Sequence, residues 1–566
     1  MDPVVPVAGC IRFAVSVLSI IGCTLGLPGC GGERSTPANA APTSAGQVAP
    51  ASAAPKVTHY AASRFADQAT FGPTPALVAE LRAKGFEKWI DEQFALPFVP
   101  IDIKPAEAVY AYTGADNTIP NSIMQYFDSE IVRLSLTAPD QLRARVMWSL
   151  SQFIVIGRGP GEPPSHVTWA NLLYRHAHGR YGELLRDISI DRQMGNYLNN
   201  DQNRPRSADC PHCVPNENFA RELMQLFSIG VYKLDPDGAP QRDGRGRFVE
   251  TYTQEDVEEL ARALTGWTTD PNPPNRPIRN WGNWGKPMVP STWAPERDSG
   301  RKVVMGRVFP AGQSQDKDLD DITAMLMAHP NIAPFVAQRL IQHLVKSDPS
   351  RAYVGRIAVK FRDNGSGVAG DLKAVVKAIL LDSEARRGDN PVTARNEDGK
   401  FREPWLHRMA TFRGLQCMRN FAWGSDSNWI LGTQQAFNPE NVFGYYAPSD
   451  RAPGSNLLAP EQRLVDAREL TNRFSELRSL LRNASQQPLR EAGCNIDLFA
   501  DAYSRSPKDF LDLLSERYFR GAMPPTLRSN LEQVIRQPTW NASDVQDSAM
   551  RMLAFALATP AFGVIK

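Results

Sequence analysis

The sequence of 566 residues lacks a marked charge excess, and after its first 30 residues it lacks any long apolar run. The 63 lysines and arginines nearly balance the 61 aspartates and glutamates, so the net charge is only +2. Without a basic field to attract polyanions, we expect no nucleic-acid partner. No later stretch reaches the about 18 uninterrupted apolar residues of a membrane-spanning helix, which predicts a water-soluble body.

Several common catalytic motifs are also missing. The chain contains no Gly-x-x-x-x-Gly-Lys-Ser/Thr phosphate loop, no His-Glu-x-x-His zinc helix and no Gly-x-Ser-x-Gly elbow after a predicted strand. Its eight histidines are scattered, which argues against a histidine-based metal site. Nucleotide hydrolysis, zinc proteolysis and serine hydrolysis therefore have no support from motifs.

The N-terminus has the features of an export signal. Residues 13–27 form an apolar run that follows Arg12, with the length of a signal-peptide core. The run ends in Leu27-Pro28-Gly29-Cys30, which resembles a bacterial lipobox and predicts that Cys30 is lipidated. Cys23 is the weaker candidate for lipidation, and a plain secretory signal is the alternative interpretation.

Composition divides the chain into three parts: a signal peptide at 1–29, a lipidated cysteine with a disordered tether at 30–55, and one large helical domain at 56–566. The tether is nearly all Ala, Pro, Ser, Thr and Gly, which bury too little apolar surface to fold. Within the domain, sub-boundaries are predicted near 364–370 and 485–493. By analogy, Gly31 after the lipidated cysteine favours the outer membrane, so we expect a periplasmic protein anchored in the lipid bilayer.

Helix-capping signals recur along the body. Thr74 precedes a proline at the first position of a predicted helix, and Thr253 with Asp256 has the spacing of a capping box. On the helix that follows Thr253, we expect Asp256, Glu259 and Arg262 to form a solvated face. Such punctuation predicts helices throughout the body.

The fold class predicted from these patterns is all-α, a multi-helix body with long ordered loops and at most a small β-hairpin. Strand-like alternation is short, and no strand-helix alternation marks a parallel sheet. The hairpin is expected at residues 232–250, and irregular loops at 269–299 and 437–460. Further helices are predicted near residues 141–156, 182–199, 217–229, 319–328, 333–345, 374–381 and 547–557.

Four groups of residues stand in order along the body: Ala69–Thr74; Leu142–Gln152; Pro215–Gly230 with Ala263–Trp267; and His329–Asn331, Asn441–Tyr446 and Leu458–Glu461. Together they resemble the bacterial family called domain of unknown function 1800. The resemblance covers nearly everything from about residue 60 to the end of the chain. It implies a large exported protein, and it supplies no catalytic residue.

Polar side chains are most concentrated at two neighbouring places, the loop with Asn200 and Asp201 and the start of the predicted helix at 217–229. The second group comprises Asn216, Glu217, Asn218, Arg221 and Glu222. Glu217 and Glu222 can act as acid and base and Arg221 as an anion clamp, while the amides and Asp201 bind a ligand. Oxygen ligands for Ca²⁺ are a weaker alternative. We favour a third interpretation, a buried structural network.

Cys210 and Cys213 lie three residues apart in a proline-rich polar loop. The next residue is Val214 rather than histidine, which excludes a c-type haem attachment motif. In an oxidising compartment, the simplest prediction is a local disulfide. A metal site with His212 and a redox-active pair are the alternatives. Cys417 and Cys494 can also pair, although their spacing does not decide it.

The loop at 437–460 carries aromatic and amide side chains, including Asn441, Tyr445 and Tyr446, together with Asp450 and Arg451. Aromatic faces beside amides suit a carbohydrate or polymer groove, although we favour core packing for these rings. The expected function is a cell-envelope lipoprotein whose polar cleft binds or assembles an envelope component, a polymer or a protein. The alternative is a hydrolase or lyase acting on an envelope or extracellular polymer with a Glu acid/base.

Overall fold

The computed structural model describes residues 57–113, 121–157, 163–269, 285–418, 434–482, 487–537 and 544–565. The predicted signal peptide, the tether and Cys30 lie outside this part of the chain, as do residues 270–284 of the predicted loop at 269–299. The described residues are mainly helical, which confirms the predicted all-α class.

The helices of the first half are α1 (His59–Ala69), α2 (Pro75–Lys84), α3 (Phe86–Ala95), α4 (Lys104–Thr113), α5 (Asn121–Thr137), α6 (Gln141–Leu150), α7 (Pro163–His176), α8 (Tyr181–Ser189), α9 (Arg192–Tyr197), α10 (Asn218–Gln225) and α11 (Gln254–Ala263). Those of the second half are α12 (Gln315–Ala328), α13 (Ile332–Leu344), α14 (Arg351–Arg362), α15 (Leu372–Leu381), α16 (Ser383–Arg387), α17 (Pro404–Gly414), α18 (Ala467–Arg482), α19 (Gln487–Glu491), α20 (Asp497–Arg505), α21 (Pro507–Tyr518), α22 (Pro525–Ile535), α23 (Val545–Leu557) and α24 (Pro560–Gly563).

Strands within the described ranges form three antiparallel two-stranded ribbons. Their members are β1 (Trp267–Thr268) with β2 (Val289–Pro290), β3 (Lys302–Val304) with β4 (Arg307–Phe309), and β5 (Lys400–Phe401) with β6 (Val564–Ile565). The segment predicted as a hairpin forms isolated antiparallel bridges, such as Tyr232 with Glu250 and Arg242 with Phe248. These short pairings connect helices and do not form a sheet layer.

The predicted helix caps are present. The Thr74 hydroxyl accepts a hydrogen bond from the Leu77 amide at 3.2 Å. The Thr253 hydroxyl accepts from the Asp256 amide at 3.2 Å, and the Asp256 carboxylate accepts from the Thr253 amide at 2.8 Å, which completes the capping box. Such a cap stabilises a helix by about 1 kcal/mol because it satisfies amides that have no partner inside the helix.

The single helix predicted at 182–199 is instead two helices, α8 and α9. Asp191 lies between them in an extended conformation, and its carboxylate accepts a hydrogen bond from the Met194 amide at 3.0 Å. An Asp side chain that caps a new first turn competes with continuation of the old helix. The break brings the loop after α9 to the start of α10.

Buried aromatic side chains link distant helices in the core. The indole rings of Trp148 in α6 and Trp405 in α17 stack with their centroids 4.9 Å apart, and both are fully buried. Burial of each large side chain contributes about 1.5–3 kcal/mol to folding. In the described part of the chain, no helix combines the length and apolar character needed to span a bilayer. The stacked rings join α6, which carries Arg145, to α17, which begins directly after Glu403.

Candidate functional site

The two carboxylates predicted as acid and base, those of Glu217 and Glu222, lie on different faces of the α10 segment. The helix begins at Asn218, with Glu217 as the residue before its first turn. Glu217 Oε2 accepts a hydrogen bond from Arg221 Nη2 at 2.7 Å and one from Gln254 Nε2 at 2.8 Å. All three side chains are in contact with solvent. This arrangement is a surface ion pair with an amide, in the i,i+4 geometry that the sequence predicts.

Glu222 lies on a different face of α10 and is buried, with 7% of its surface exposed. Its buried Oε2 atom has no hydrogen-bond partner among the described residues. Burial raises the pKa of the Glu222 carboxyl to about 7, although the neighbouring Arg221 charge opposes the shift. Burial and the nearby Glu222 charge also raise the pKa of the Tyr252 hydroxyl, to about 12, and that of the Tyr197 hydroxyl.

The loop after α9 is held in an unusual backbone conformation. Asn199 and Gln202 have positive φ angles of 59° and 60°. Asn199 Oδ1 accepts a hydrogen bond from Asn218 Nδ2 at 3.1 Å, which joins the loop to α10. Asn200, between Asn199 and Gln202, is only 1% exposed. Neither polar atom of its side-chain amide has a hydrogen-bond partner within the described ranges. Left-handed backbone is uncommon for residues other than glycine, although Asn adopts it more readily than most, and strained positions of this kind cluster at functional sites.

Some of the polar residues that the sequence groups together are joined by hydrogen bonds in the structure. Asn216 Oδ1 accepts a hydrogen bond from the backbone amide of Asn218, the first residue of α10, at 2.9 Å. The backbone amide of Asn216 donates to Asn203 Oδ1 at 2.7 Å. The Asp201 carboxylate accepts from the Thr269 amide at 3.3 Å. Within the described residues, no group of three or more His, Cys, Asp or Glu side chains could hold a metal ion. The carboxylates of Glu217 and Glu222 do not face each other.

Both cysteine pairs singled out in the sequence have their sulfur atoms at disulfide distance. The distance is 2.13 Å between Cys210 and Cys213 and 2.06 Å between Cys417 and Cys494. The first pair lies in the turn before α10, where His212 is exposed. The second pair joins residues that are 77 positions apart in the sequence, a pairing that the spacing alone did not decide.

The late loop and the start of α18 surround a cleft of about 840 Å³. Its aromatic lining consists of Phe443, Tyr445 and Tyr446, and Phe443 is 60% exposed. The polar lining includes Glu440, Asn441, Asp450, Arg451, Gln462, Arg463 and Asp466. The cleft thus contains all five residues that the sequence singles out in this loop.

Hydrogen bonds and one close backbone approach fix the cleft wall. Gly444 has φ +88°, and a Cβ atom there would lie 2.9 Å from the carbonyl oxygen of Gln152, so this position requires glycine. Asn441 Oδ1 accepts from the Phe443 amide at 2.9 Å, and the Tyr445 hydroxyl accepts from the Asn438 amide at 3.0 Å. The Phe443 ring is therefore presented from an ordered turn.

Beneath the cleft lies a buried ion cluster, defined here as Arg145, Lys400, Glu403 and Glu461. Lys400 Nζ lies 3.2 Å from Glu403 Oε1 and 3.3 Å from Glu461 Oε1. Arg145 Nη2 donates to the carbonyl oxygen of His343 at 2.6 Å. Two positive and two negative side chains balance within the core, which is the condition for burying charges.

Tyr446 connects the cleft to this buried ion cluster. Its hydroxyl lies 3.3 Å from Nδ1 of His343. Burial, with the nearby Glu403 charge, raises the pKa of Tyr446 well above its ordinary value. Burial also lowers the pKa of His343 well below its usual range, so the imidazole is neutral. Tyr446 and His343 therefore both stay neutral across the neutral range.

Comparison with known proteins agrees with the resemblance seen in the sequence. The family model described as "Protein of unknown function (DUF1800)" matches residues 64–564. No curated protein and no solved structure matches the chain. Because the family model spans nearly the whole described body, the chain belongs to the DUF1800 family.

Proposed function

We propose that the protein is a lipid-anchored component of the bacterial cell envelope that binds an envelope polymer in the cleft around Phe443. The observation that carries the proposal is the cleft itself, which has about 840 Å³ of space and a largely exposed aromatic ring on an ordered wall. Ligand sites in proteins commonly enclose about 300–1,000 Å³ and combine aromatic faces with a few polar groups.

The chemistry of the lining favours a hydroxyl-rich polymer. The Phe443 ring offers a flat apolar face for stacking, and Asn441 and Gln462 supply amides at the same surface. Gln462 Oε1 is buried in the cleft wall and has no hydrogen-bond partner among the described residues. Acidic and basic side chains both line the cleft, so no single sign of charge dominates. These features suit an uncharged or mixed-charge glycan better than a polyanion.

Phe443→Ala is expected to weaken binding of envelope glycan by about fivefold, since loss of an aromatic contact costs about 1 kcal/mol. The assay is sedimentation of the purified full-length protein with isolated peptidoglycan and with soluble extracellular polysaccharide. Phe248→Ala is the matched control, because Phe248 is also exposed, at 40%, but lies far along the chain near α11. Equal binding by wild type and Phe443→Ala would contradict the proposal.

Lipidation of Cys30 is the proposed means of anchoring. Incorporation of labelled palmitate should disappear in Cys30→Ala and persist in Cys23→Ala, because Cys30 ends the apolar run at the lipobox-like sequence. Each buried CH₂ of an acyl chain contributes about 0.8 kcal/mol to membrane attachment, so the Cys30→Ala protein should leave the membrane fraction. If palmitate incorporation depended on Cys23 instead, the lipidated residue would be Cys23. If wild type incorporated no palmitate, the proposed lipid anchor would be wrong.

A second candidate, a hydrolase or lyase acting on such a polymer, is favoured by one observation. The pKa of Glu222 near 7 suits a general acid at neutral pH. Glu217 does not supply the opposed carboxylate, since it is paired with Arg221 on another face of α10. Release of new reducing or unsaturated ends by wild type, lost in Glu222→Gln, would identify the enzyme.

A further inference from the structure

Among the described residues, five charged side chains line the cleft around Phe443, and three of them are held by the protein itself. The carboxylates of Asp450 and Asp466 each accept a hydrogen bond from a backbone amide three residues away, at 3.2 and 2.7 Å. Arg451 donates to a carbonyl oxygen five residues away. These three side chains therefore help to fix the backbone of the cleft wall.

Glu440 and Arg463 are the other two charged side chains of the lining. Both are exposed, and neither has a hydrogen-bond or ion-pair partner in the described part of the chain. A carboxylate accepts hydrogen bonds and a guanidinium donates up to five of them. One anion and one cation at the same cleft thus have their full bonding capacity available to a ligand.

The backbone that carries Arg463 is anchored in the core. Arg463 lies in the short 3₁₀-helix Pro460–Leu464. Glu461 of the same helix is buried, with its Oε1 3.3 Å from Lys400 Nζ, and its Oε2 accepts a hydrogen bond from the Ser347 hydroxyl at 2.8 Å. Successive residues of a 3₁₀-helix are about 120° apart, so Arg463 lies on a different face from Glu461. The buried ion cluster therefore fixes the place from which an exposed guanidinium projects.

Glu440 directly precedes the turn that presents Phe443. The carbonyl oxygen of Asn441 accepts a hydrogen bond from the Gly444 amide at 3.1 Å, which closes this turn. The Phe443 ring is mainly exposed at the tip of the turn. The cleft therefore combines an aromatic face and a carboxylate from one segment with a guanidinium from another.

We infer that the polymer bound in this cleft is a glycan substituted with short peptides that carry both carboxylates and ammonium groups, an inference that rests on the function proposed for the cleft. The Arg463 guanidinium binds a ligand carboxylate, the Glu440 carboxylate binds a ligand ammonium group, and the Phe443 ring contacts a sugar face. A neutral polysaccharide would leave both charges unmatched. A polyanion would meet the carboxylates of Glu440, Asp450 and Asp466.

Blocking one kind of ligand charge at a time tests this assignment. The probe is soluble peptidoglycan fragments, whose peptides have free carboxylates and free amines. Acetic anhydride converts the amines into neutral amides, and carbodiimide with ammonia does the same for the carboxylates, while the sugar backbone is unchanged. Calorimetry with the purified full-length protein is performed at about 50 mM salt, where screening is weak. We expect each blocked form to bind about fivefold more weakly than the native fragments.

Two substitutions assign the charges to their partners. Arg463→Gln should weaken binding of the native fragments about fivefold and leave binding of the fragments with blocked carboxylates unchanged. Glu440→Gln should weaken binding of the native fragments by a similar factor and leave binding of the acetylated fragments unchanged. Arg468→Gln is the matched control, because Arg468 is also exposed but does not line the cleft.

Equal affinity of wild type for the native, acetylated and amidated fragments would overturn the inference. Tighter binding of the acetylated fragments than of the native ones would also overturn it, because the cleft would then select a polyanion. If Phe443→Ala still weakened binding in either case, the function proposed for the cleft would stand. Binding of no fragment by wild type would overturn both.

Discussion

Replacement of Lys400 with methionine is expected to lower the free energy of unfolding by about 3–5 kcal/mol, the largest effect among the substitutions considered. Lys400 Nζ lies 3.2 and 3.3 Å from the carboxylates of Glu403 and Glu461, and all three side chains are buried. Methionine fills a similar volume but carries no charge, so the cluster would keep two buried carboxylates and only one cation, Arg145. Urea denaturation at neutral pH measures the difference.

Lys377→Met is the matched control for this substitution. Lys377 Nζ also lies near two carboxylates, at 2.8 Å from Asp91 and 3.0 Å from Glu87, but the group is partly exposed. Water screens exposed pairs, and we expect a loss below about 1 kcal/mol. If both lysine variants lost similar stability, burial of the ion cluster would not be the source of the effect.

Glu222→Gln is expected to stabilise the protein by about 1–2 kcal/mol at about pH 8. Burial raises the pKa of Glu222 from 4.5 in its ordinary state to about 7 in the folded state. The folded protein therefore holds this proton more tightly than the unfolded chain, and wild type loses stability as pH rises from about 4.5 to about 7. The full pKa shift would correspond to a stabilisation larger than about 2 kcal/mol. We expect less because the substituted glutamine also places a polar side chain at this buried position.

The pH dependence separates this effect from ordinary substitution effects. Below about pH 4.5, Glu222 is protonated in both states, and wild type and Glu222→Gln should unfold at similar urea concentrations. Glu217→Gln is the control, since Glu217 is exposed and paired with Arg221, and it should be neutral or slightly destabilising. A Glu222→Gln protein that is less stable than wild type at about pH 8 would show that the carboxylate has a structural partner.

Local sequence signals predicted much of the helical framework. The capping box of Thr253 and Asp256 and the pairing of Glu217 with Arg221 depend on residues three or four positions apart. Helix geometry brings such residues together wherever the helix lies in the protein. The same holds for the pairing of Cys210 with Cys213, whose spacing is that of a single turn.

Long-range contacts were not predictable in this way. The solvated face expected for Asp256, Glu259 and Arg262 is wrong, because the β3–β4 ribbon packs against it. The amides of Met305 and Val303 donate to Asp256 and Glu259 at 2.6 and 2.8 Å. Nothing within α11 indicates that backbone amides of the β3–β4 ribbon and its turn, 44 and 49 residues away, need carboxylate acceptors.

The buried ion cluster was missed for the same reason. Arg145, Lys400, Glu403 and Glu461 lie in separate segments, and only Lys400 and Glu403 are close in sequence. In a sequence each resembles a surface charge, because charged residues are rarely buried. The aromatic and amide composition of the loop at 437–460 suggested a groove there only as the less favoured alternative to core packing. The ordered wall of the cleft depends on Gly444 approaching the carbonyl of Gln152, which only the three-dimensional structure shows.

Hydrogen–deuterium exchange with and without bound envelope glycan tests most directly whether the polymer occupies the cleft around Phe443. If it does, backbone amides in residues 440–470 should exchange more slowly in the complex, and Phe443→Ala should lose this protection at the same glycan concentration. Protection confined to residues 197–225, or no protection in 440–470 at saturating glycan, would contradict binding in the cleft.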